Sequence, residues 1–317
     1  MNTPFRLAAF AAGVAVVFVA AVGVGNAVGP VGTAATGDHG AGHDADAASS
    51  VGESGAHSGQ HSGAASPDSR AAGSTTAVPG LSAFEDGYSL KLAAATHPVG
   101  QPEPFAFTVL GPEGQPVTDY TPTHDKELHL IVVRRDTTGF QHLHPERDAG
   151  GRWTVPLALS RAGVYKVFVD FAPDGQTDAL TLAADVSTTG LYEPQPLPEV
   201  SRTTTVDGYT VTLAGDLVAG RESELTLSVS RDGRPVTDLE PYLAAYGHLV
   251  ALRAGDLGYL HVHPDGEPGD GRTAPGPEIT FSVDVPTAGD YRLYLNFQHE
   301  DVVRTAEFTA SADKEAS

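Results

Sequence analysis

The sequence predicts an all-β fold: two tandem immunoglobulin-like β-sandwich domains after an N-terminal hydrophobic helix and a disordered linker. Three observations carry that expectation. A histidine followed thirteen positions later by His-x-His-Pro occurs twice at a constant offset of 119 residues: His129, His142, His144, Pro145 and His248, His261, His263, Pro264. The same offset relates Pro116-Val117-Thr118-Asp119 to Pro235-Val236-Thr237-Asp238, and Arg134 and Gly139 to Arg253 and Gly258. Apolar residues alternate with period two, as in Phe105, Phe107, Val109 and in Leu225, Leu227, Val229. That period marks half-buried antiparallel strands. Lastly, Ala162-Gly163-Val164-Tyr165 and Ala288-Gly289-Asp290-Tyr291 each lead into an alternating strand. An Ala-Gly-x-Tyr turn at that place reads as the tyrosine corner of such sandwiches, its hydroxyl bonded to nearby backbone.

In chain order, residues 1–30 form the first element. Arg6 is the only charged side chain before Leu7–Val24, a stretch with none. A run of that length sits at the lower edge of a membrane span. It also resembles a secretory signal, with Gly25-Asn26-Ala27 as a small-residue cleavage site. The expected location is the cell membrane, single-pass with the remainder extracytoplasmic, or secretion after cleavage; either way the chain is exported. Residues 31–79 are rich in Gly, Ala, Ser, Thr and Asp and bury too little to offset their ordering entropy, so a flexible linker is expected. His39, His43, His57 and His61 lie in it among acidic residues. They read either as loose chelators or as compositional drift.

The first sandwich is expected over residues 80–190 and the second over 201–312, with a tail at 313–317. Each is the size of an immunoglobulin-like domain. Between them, residues 191–200 include Tyr192-Glu193-Pro194-Gln195-Pro196-Leu197-Pro198, a short proline-stiffened connector.

Composition narrows the chemistry. The formal net charge of −21 argues against nucleic acid, whose binding needs Lys and Arg to displace counterions. There is no Cys, and the single Met is Met1, so disulfides, thiolate metal sites and thioether ligands are excluded. A metal here must be held by imidazole, carboxylate, backbone or water. No Gly-x-Ser-x-Gly elbow, phosphate loop or His-Glu-x-x-His motif is present, and no enzyme is expected.

The repeated histidines are the candidate metal ligands: His129, His142 and His144 in the first copy, His248, His261 and His263 in the second. Leu128–Arg134 and Phe140–His144 read as a hairpin. Residues i and i+2 of a strand share a face, which points His142 and His144 the same way. A four-residue loop at Asp136–Gly139 would pair Val133 with His142 and Ile131 with His144, and would bring His129 to the same face. The same register would gather the second trio. Three imidazoles without thiols suit Cu(II) or Zn(II). Asp170 is a carboxylate within reach, where the second copy has Asn296; His97 and His124 read as surface or locally bonded residues. Alternatively, the trios fix their hairpins by bonding backbone carbonyls, and the prolines end the ladders.

His129 to Asp136, Gln141-His142-Leu143-His144-Pro145, Tyr246-Gly247-His248-Leu249 and Tyr259-Leu260-His261-Val262-His263-Pro264 together resemble a family of bacterial exported or membrane-anchored proteins. These carry paired immunoglobulin-like domains and are generally left uncharacterised or labelled heavy-metal-binding. The resemblance spans about residues 80–312, and each domain is more distantly similar to envelope sandwiches of the YtkA-like and copper-resistance CopC-like type. It implies an envelope location and metal handling, without the Cu(I) chemistry of methionine-bearing relatives. The expected function is an extracytoplasmic buffer or carrier for Cu(II) or Zn(II), held at the membrane by the N-terminal helix, with an envelope protein as a further partner. The alternative is a non-catalytic structural or interaction module.

Overall fold

Alternation in the sequence becomes alternation in burial: Arg152–Leu157 is exposed and buried at successive residues, and Glu278–Val285 repeats the pattern. The structure is a computed structural model that describes residues 78–176 and 179–313. The expected hydrophobic helix, and the linker as far as residue 77 with its four histidines, lie outside the described residues. Among the described residues there is no helix.

The first copy contains β1 (Phe84–Glu85), β2 (Tyr88–Leu92), β3 (Glu103–Leu110), β4 (Tyr120–Thr121), β5 (Leu128–Arg134), β6 (Gln141–Leu143), β7 (Glu146–Arg147), β8 (Arg152–Leu157), β9 (Gly163–Pro173) and β10 (Leu180–Thr188). One sheet has the order β1-β2-β3-β8-β7 and the other β10-β9-β5-β6, with β4 on β9. The second copy contains β11 (Thr203–Val206), β12 (Tyr209–Ala214), β13 (Leu217–Val218), β14 (Arg221–Arg231), β15 (Arg234–Pro235), β16 (His248–Arg253), β17 (Val262–Pro264), β18 (Glu278–Val285), β19 (Gly289–His299) and β20 (Val302–Asp313). Its sheets run β11-β12-β14-β18-β17, with β15 on β14, and β13-β20-β19-β16. Each copy is thus an immunoglobulin-like sandwich with its own core, Trp153 and Phe171 at the centre of one, Phe281 and Phe297 of the other.

Both tyrosine corners form. The Tyr165 hydroxyl donates to Arg161 O at 2.9 Å, and that of Tyr291 to Thr287 O at 2.6 Å. Gly163 and Gly289, with φ of 140° and 134°, make the turn in a region that side chains rarely enter. The connector is fastened to the first sandwich: the Arg134 guanidinium donates to Glu193 O and lies 4.6 Å from the Tyr192 ring centroid, and Gln195 N donates to Asp136.

A third core joins the sandwiches. Every residue of β5 is buried, because its even residues enter the first core while Ile131 and Val133 meet Val250 and Leu252 of β16. Those four are repeat-equivalent at the 119-residue offset, so matching strands face one another. The aromatic contacts follow the same symmetry. Phe140 stacks on Tyr294 with centroids 4.1 Å apart, and its equivalent Tyr259 packs on Phe168, the equivalent of Tyr294, at 5.5 Å. Residue i touches j′ and j touches i′, the signature of a pseudo-two-fold interface. Each fully buried apolar side chain there contributes roughly 1.5–3 kcal/mol.

Candidate metal centre

The same faces that make the seam carry the histidines. In β5, His129 continues the row of Ile131 and Val133; in β16, His248 continues that of Val250 and Leu252. Opposite His129 in the neighbouring strand stands Asp170, and opposite His248 stands Asn296. One cavity of about 730 Å³ opens beside the seam, lined by His124, His129, His142 and Asp170 of the first sandwich and by His248, His261 and His263 of the second.

The first trio converges. His129, His142 and His144 place donor atoms within 4.8 Å of one another. Their ring centroids are 4.9–5.3 Å apart. The hairpin register differs from the expected one: β5 pairs Ile131 with His142 and Leu130 with Leu143, two residues away from a four-residue loop. The cause is Phe140, which leaves the hairpin to stack on Tyr294, while the Tyr294 hydroxyl donates to Thr137 O. A shift by two preserves which face each side chain occupies, so the histidines still share one.

The hydrogen bonds fix the tautomers. His129 Nε2 must donate to Thr123 O at 3.0 Å, because a carbonyl only accepts. His142 Nδ1 donates to Asn296 Oδ1 at 3.0 Å, and the Asn296 amide nitrogen donates to Thr305 Oγ1. In the neutral rings the remaining nitrogens, His129 Nδ1 and His142 Nε2, both carry lone pairs, and they lie 3.1 Å apart. Two nitrogens bound to one ion at about 2.0–2.1 Å are separated by about 2.9–3.4 Å for angles between square and tetrahedral. The pair therefore has the spacing of two imidazoles on one cation. His144 Nε2 is buried and, among the described residues, has no hydrogen-bond partner. Among the described residues no carboxylate joins this group.

Electrostatics disfavours protonation of His142, His144 and His248. Burial, then the neighbouring His129 and His144, holds His142 well below the usual imidazole range. Burial, with His129 and Lys126 beside it, lowers His144 to about 4. His248 falls to about 4, chiefly through burial, despite its bond to Tyr242 O. Neutral imidazole is the form that binds a metal.

The second trio is not gathered in this way. His248 Nε2 donates to Tyr242 O and Leu243 O at 2.8 and 3.0 Å, closing its own loop. Its ring points toward the first copy, 6.1 Å from that of His142 and 5.0 Å from that of His124. His261 and His263 are exposed, with rings 4.2 Å apart. After Leu260 the chain crosses to pair with β18, whereas in the first copy the ladder to β5 continues to Leu143. The repeat offset grows from 119 at Pro145/Pro264 to 126 at Ala162/Ala288, so a longer loop follows the crossing. Asp270 ties that loop by accepting from Arg272 N and Thr273 N. His124, read from sequence as a surface or locally bonded residue, lines the cavity instead; His97 is buried and bonded to Leu157 O. Two contributions escaped the sequence reading: Asn296 as the acceptor that orients His142, and His248 as part of the first copy's surroundings. The apolar second face of Leu128–Arg134 was the available signal, since a strand apolar on both faces must be covered on both.

Two sandwiches of matching topology, joined through matching strands around a shared histidine cavity, define a tandem immunoglobulin-like protein. The chain belongs to the family described as domain of unknown function (DUF8832), whose model matches twice, over residues 82–188 and 204–314. No curated protein matches the chain. Among solved structures it is similar to the Escherichia coli adhesin FdeC, with 18% identity over 71% of this chain and 63% of that one and a TM-score of 0.22. It is also similar to Yersinia pseudotuberculosis InvD, with 13% identity, 73% and 58% coverage and a TM-score of 0.24. Domains 4–9 of the surface layer protein SbsC match with 11% identity, a TM-score of 0.23, and 72% of this chain covering 31% of that one. At such scores these likenesses carry no argument about function; the sandwich architecture rests on the strand pairing described above.

Proposed function

We propose that the protein binds a divalent transition metal, Cu(II) or Zn(II), outside the cytoplasm, as a non-catalytic buffer or carrier at the cell envelope. The observation that carries this reading is the 3.1 Å approach of His129 Nδ1 to His142 Nε2. Each ring spends its only proton on another acceptor, so the two lone pairs repel unless a cation lies between them. Thr123 O and Asn296 Oδ1 are the outer partners that hold ligating imidazoles in tautomer and orientation. His144 supplies a third nitrogen within 4.8 Å of the other two. Nitrogen donors without thiolate favour Cu(II) and Zn(II) over Mg or Ca.

The sequence resemblance to exported paired-domain proteins left uncharacterised or labelled heavy-metal-binding, and more distantly to YtkA-like and CopC-like sandwiches, agrees with this reading, as does the apolar N-terminal run, which would keep the domains at the membrane. Isothermal titration of the purified chain with Zn(II) and Cu(II) tests it. A site of micromolar or tighter affinity that disappears in His142→Ala and His144→Ala is expected; affinities unchanged by both substitutions end the proposal.

The second reading, a structural or interaction module facing another envelope protein, draws support from His248, whose ring nitrogen is committed to two backbone carbonyls. It requires that the alanine variants melt lower without metal and that metal never raises the melting temperature.

A further inference from the structure

Before it enters the first sandwich, the chain touches the second. Val78 and Pro79, the last residues of the expected linker, lie against Gly258 and Tyr259. The Tyr259 amide donates to Pro79 O at 2.9 Å. A Cβ on Gly258 would stand 2.7 Å from Val78 Cγ1, so the contact exists because that position is bare. Gly80 N then donates to Thr181 O at 3.0 Å, and Ala183 N to Ser82 O at 2.7 Å, which fixes the strap to β10 of the first sandwich. Gly80 turns between the two attachments at φ 69°, and a Cβ there would stand 2.8 Å from the Phe168 ring and 2.9 Å from Tyr259 Cβ. Residues 78–80 therefore bind both sandwiches at once.

The pseudo-two-fold axis shows what the strap supplies. In one half of the seam Phe140 stacks on Tyr294, whose hydroxyl donates to Thr137 O at 2.6 Å. In the other half Tyr259 stands for Phe140 and Phe168 for Tyr294, so that hydroxyl is missing and the rings meet tilted at 5.5 Å. Asp256 O, the repeat equivalent of Thr137 O, accepts instead from Lys166 Nζ and Arg135 Nη1 at 3.3 and 3.4 Å. Those are long bonds. The strap brings a shorter one to the weaker half, in the place where the axis has lost it.

We propose that residues 78–80 are a clip on the seam whose hold on Tyr259 and the metal occupancy of the trio strengthen each other. The trio belongs to the first sandwich, but the acceptor that orients His142 is Asn296 of the second. An ion on His142 Nε2 is therefore held best when the seam is closed, and the clip favours that same closed state. Two contacts that favour one state raise each other's hold by one common factor. Whatever lifts residues 78–79 from Tyr259, a pull on the linker included, loosens the ion. The inference rests on the reading of the trio as a metal site, and its test separates the two.

Hydrogen exchange of the full chain, followed at the Tyr259 amide with and without Zn(II), reads the clip directly, since Pro79 O is the acceptor of that amide. Zn(II) should slow the exchange by a factor of about five or more, and His142→Ala should abolish the effect. Gly258→Ala drives Val78 off the second sandwich. It should speed Tyr259 exchange in the metal-free chain and weaken Zn(II) affinity, measured by isothermal titration, by the same factor. Val78→Gly together with Gly258→Ala makes room for the new methyl and should restore both. Gly80→Ala displaces the strap from its other end and should repeat the result of Gly258→Ala. Tyr259 exchange that ignores Zn(II), in a chain whose Zn(II) binding is lost in His142→Ala, overturns the clip's coupling and leaves the trio standing. Unchanged Zn(II) affinity in both Gly258→Ala and Gly80→Ala overturns it as well, as does a double variant no better than Gly258→Ala. A chain that binds no Zn(II) removes the metal reading and this coupling with it.

Discussion

Asn296 touches no ion in the proposed site, yet its replacement by leucine should weaken metal binding without opening the fold. In the parent chain His142 Nδ1 donates to Asn296 Oδ1, which leaves Nε2 with a lone pair aimed at His129 Nδ1, 3.1 Å away. Leucine has a similar shape and no acceptor. His142 is then free to move its proton to Nε2 and donate it to His129 Nδ1, turning a repulsive contact into a hydrogen bond. The metal-free protein thereby loses two bonds, the second being that of the Asn296 amide to Thr305 Oγ1, and gains one, so its melting temperature should fall only modestly. Binding an ion must now break the new bond and return the proton. Loss of such an outer partner typically weakens metal affinity 10–100-fold, about 1.4–2.7 kcal/mol. Isothermal titration with Zn(II), beside thermal melts of the metal-free chain, reads both quantities. An affinity within threefold of the parent would mean that His142 does not ligate through Nε2, and the tautomer argument would fail.

Two further predictions follow from the seam and its charge. His144 and His248 have folded-state pKa values of about 4, below the usual 6.5. The unfolded chain therefore binds protons first as pH falls, so stability is complete above about pH 6.5 and declines toward pH 4. For His248, 8% exposed, the loss is on the order of 3 kcal/mol. Denaturant melts at pH 7 and pH 4.5 should show it, and His248→Gln should flatten the profile; equal slopes in parent and variant contradict the assignment. Separately, Phe140→Ala and Tyr259→Ala remove symmetry-related halves of the seam and should each cost about 2 kcal/mol. They should also weaken Zn(II) binding, because the seam brings Asn296 to His142. Destabilisation with unchanged metal affinity would show that the trio forms without the second sandwich.

Much of the fold was legible because it is local. The period of two in Phe105–Val109 and Leu225–Val229 reports a strand with one face in a core, and Gly163-Val164-Tyr165 specifies a corner by backbone shape and one hydroxyl. The shared face of His129, His142 and His144 was legible for the same reason: register shifts by two leave faces unchanged, so an inexact loop did not spoil it. What joins the sandwiches was not. Whether Ile131 and Val133 meet a partner depends on Val250 and Leu252, 119 residues away, and no local pattern states that pairing. Nor does the motif His-x-His-Pro reveal where the chain leaves its sheet. That depends on how far the ladder runs, to Leu143 in one copy and only to Leu260 in the other.

The duplication itself explains why one site can be built from two copies. Two equal domains meeting across a two-fold axis would offer two equal histidine clusters, one at each end of the seam. Here the axis holds for the apolar contacts, Phe140 on Tyr294 and Tyr259 on Phe168, and fails among the polar groups. His124 faces Leu243 under the symmetry, Asp170 faces Asn296, and the second trio is pulled apart by the earlier crossing of β17. Apolar contacts tolerate such divergence because they need only matching shape. The polar groups are free to specialise once the seam is held. On this argument the seam holds the copies together whichever polar groups they carry, so restoring symmetry should alter metal binding rather than break the fold. Changing Asn296→Asp adds a carboxylate beside His142 without disturbing the packing of Tyr294 or Phe140. It should tighten the trio's hold on Zn(II), since a carboxylate is the stronger outer partner for a ligating imidazole. Weaker binding in that variant would show that His142 needs a neutral acceptor, and that the divergence between Asp170 and Asn296 has another cause.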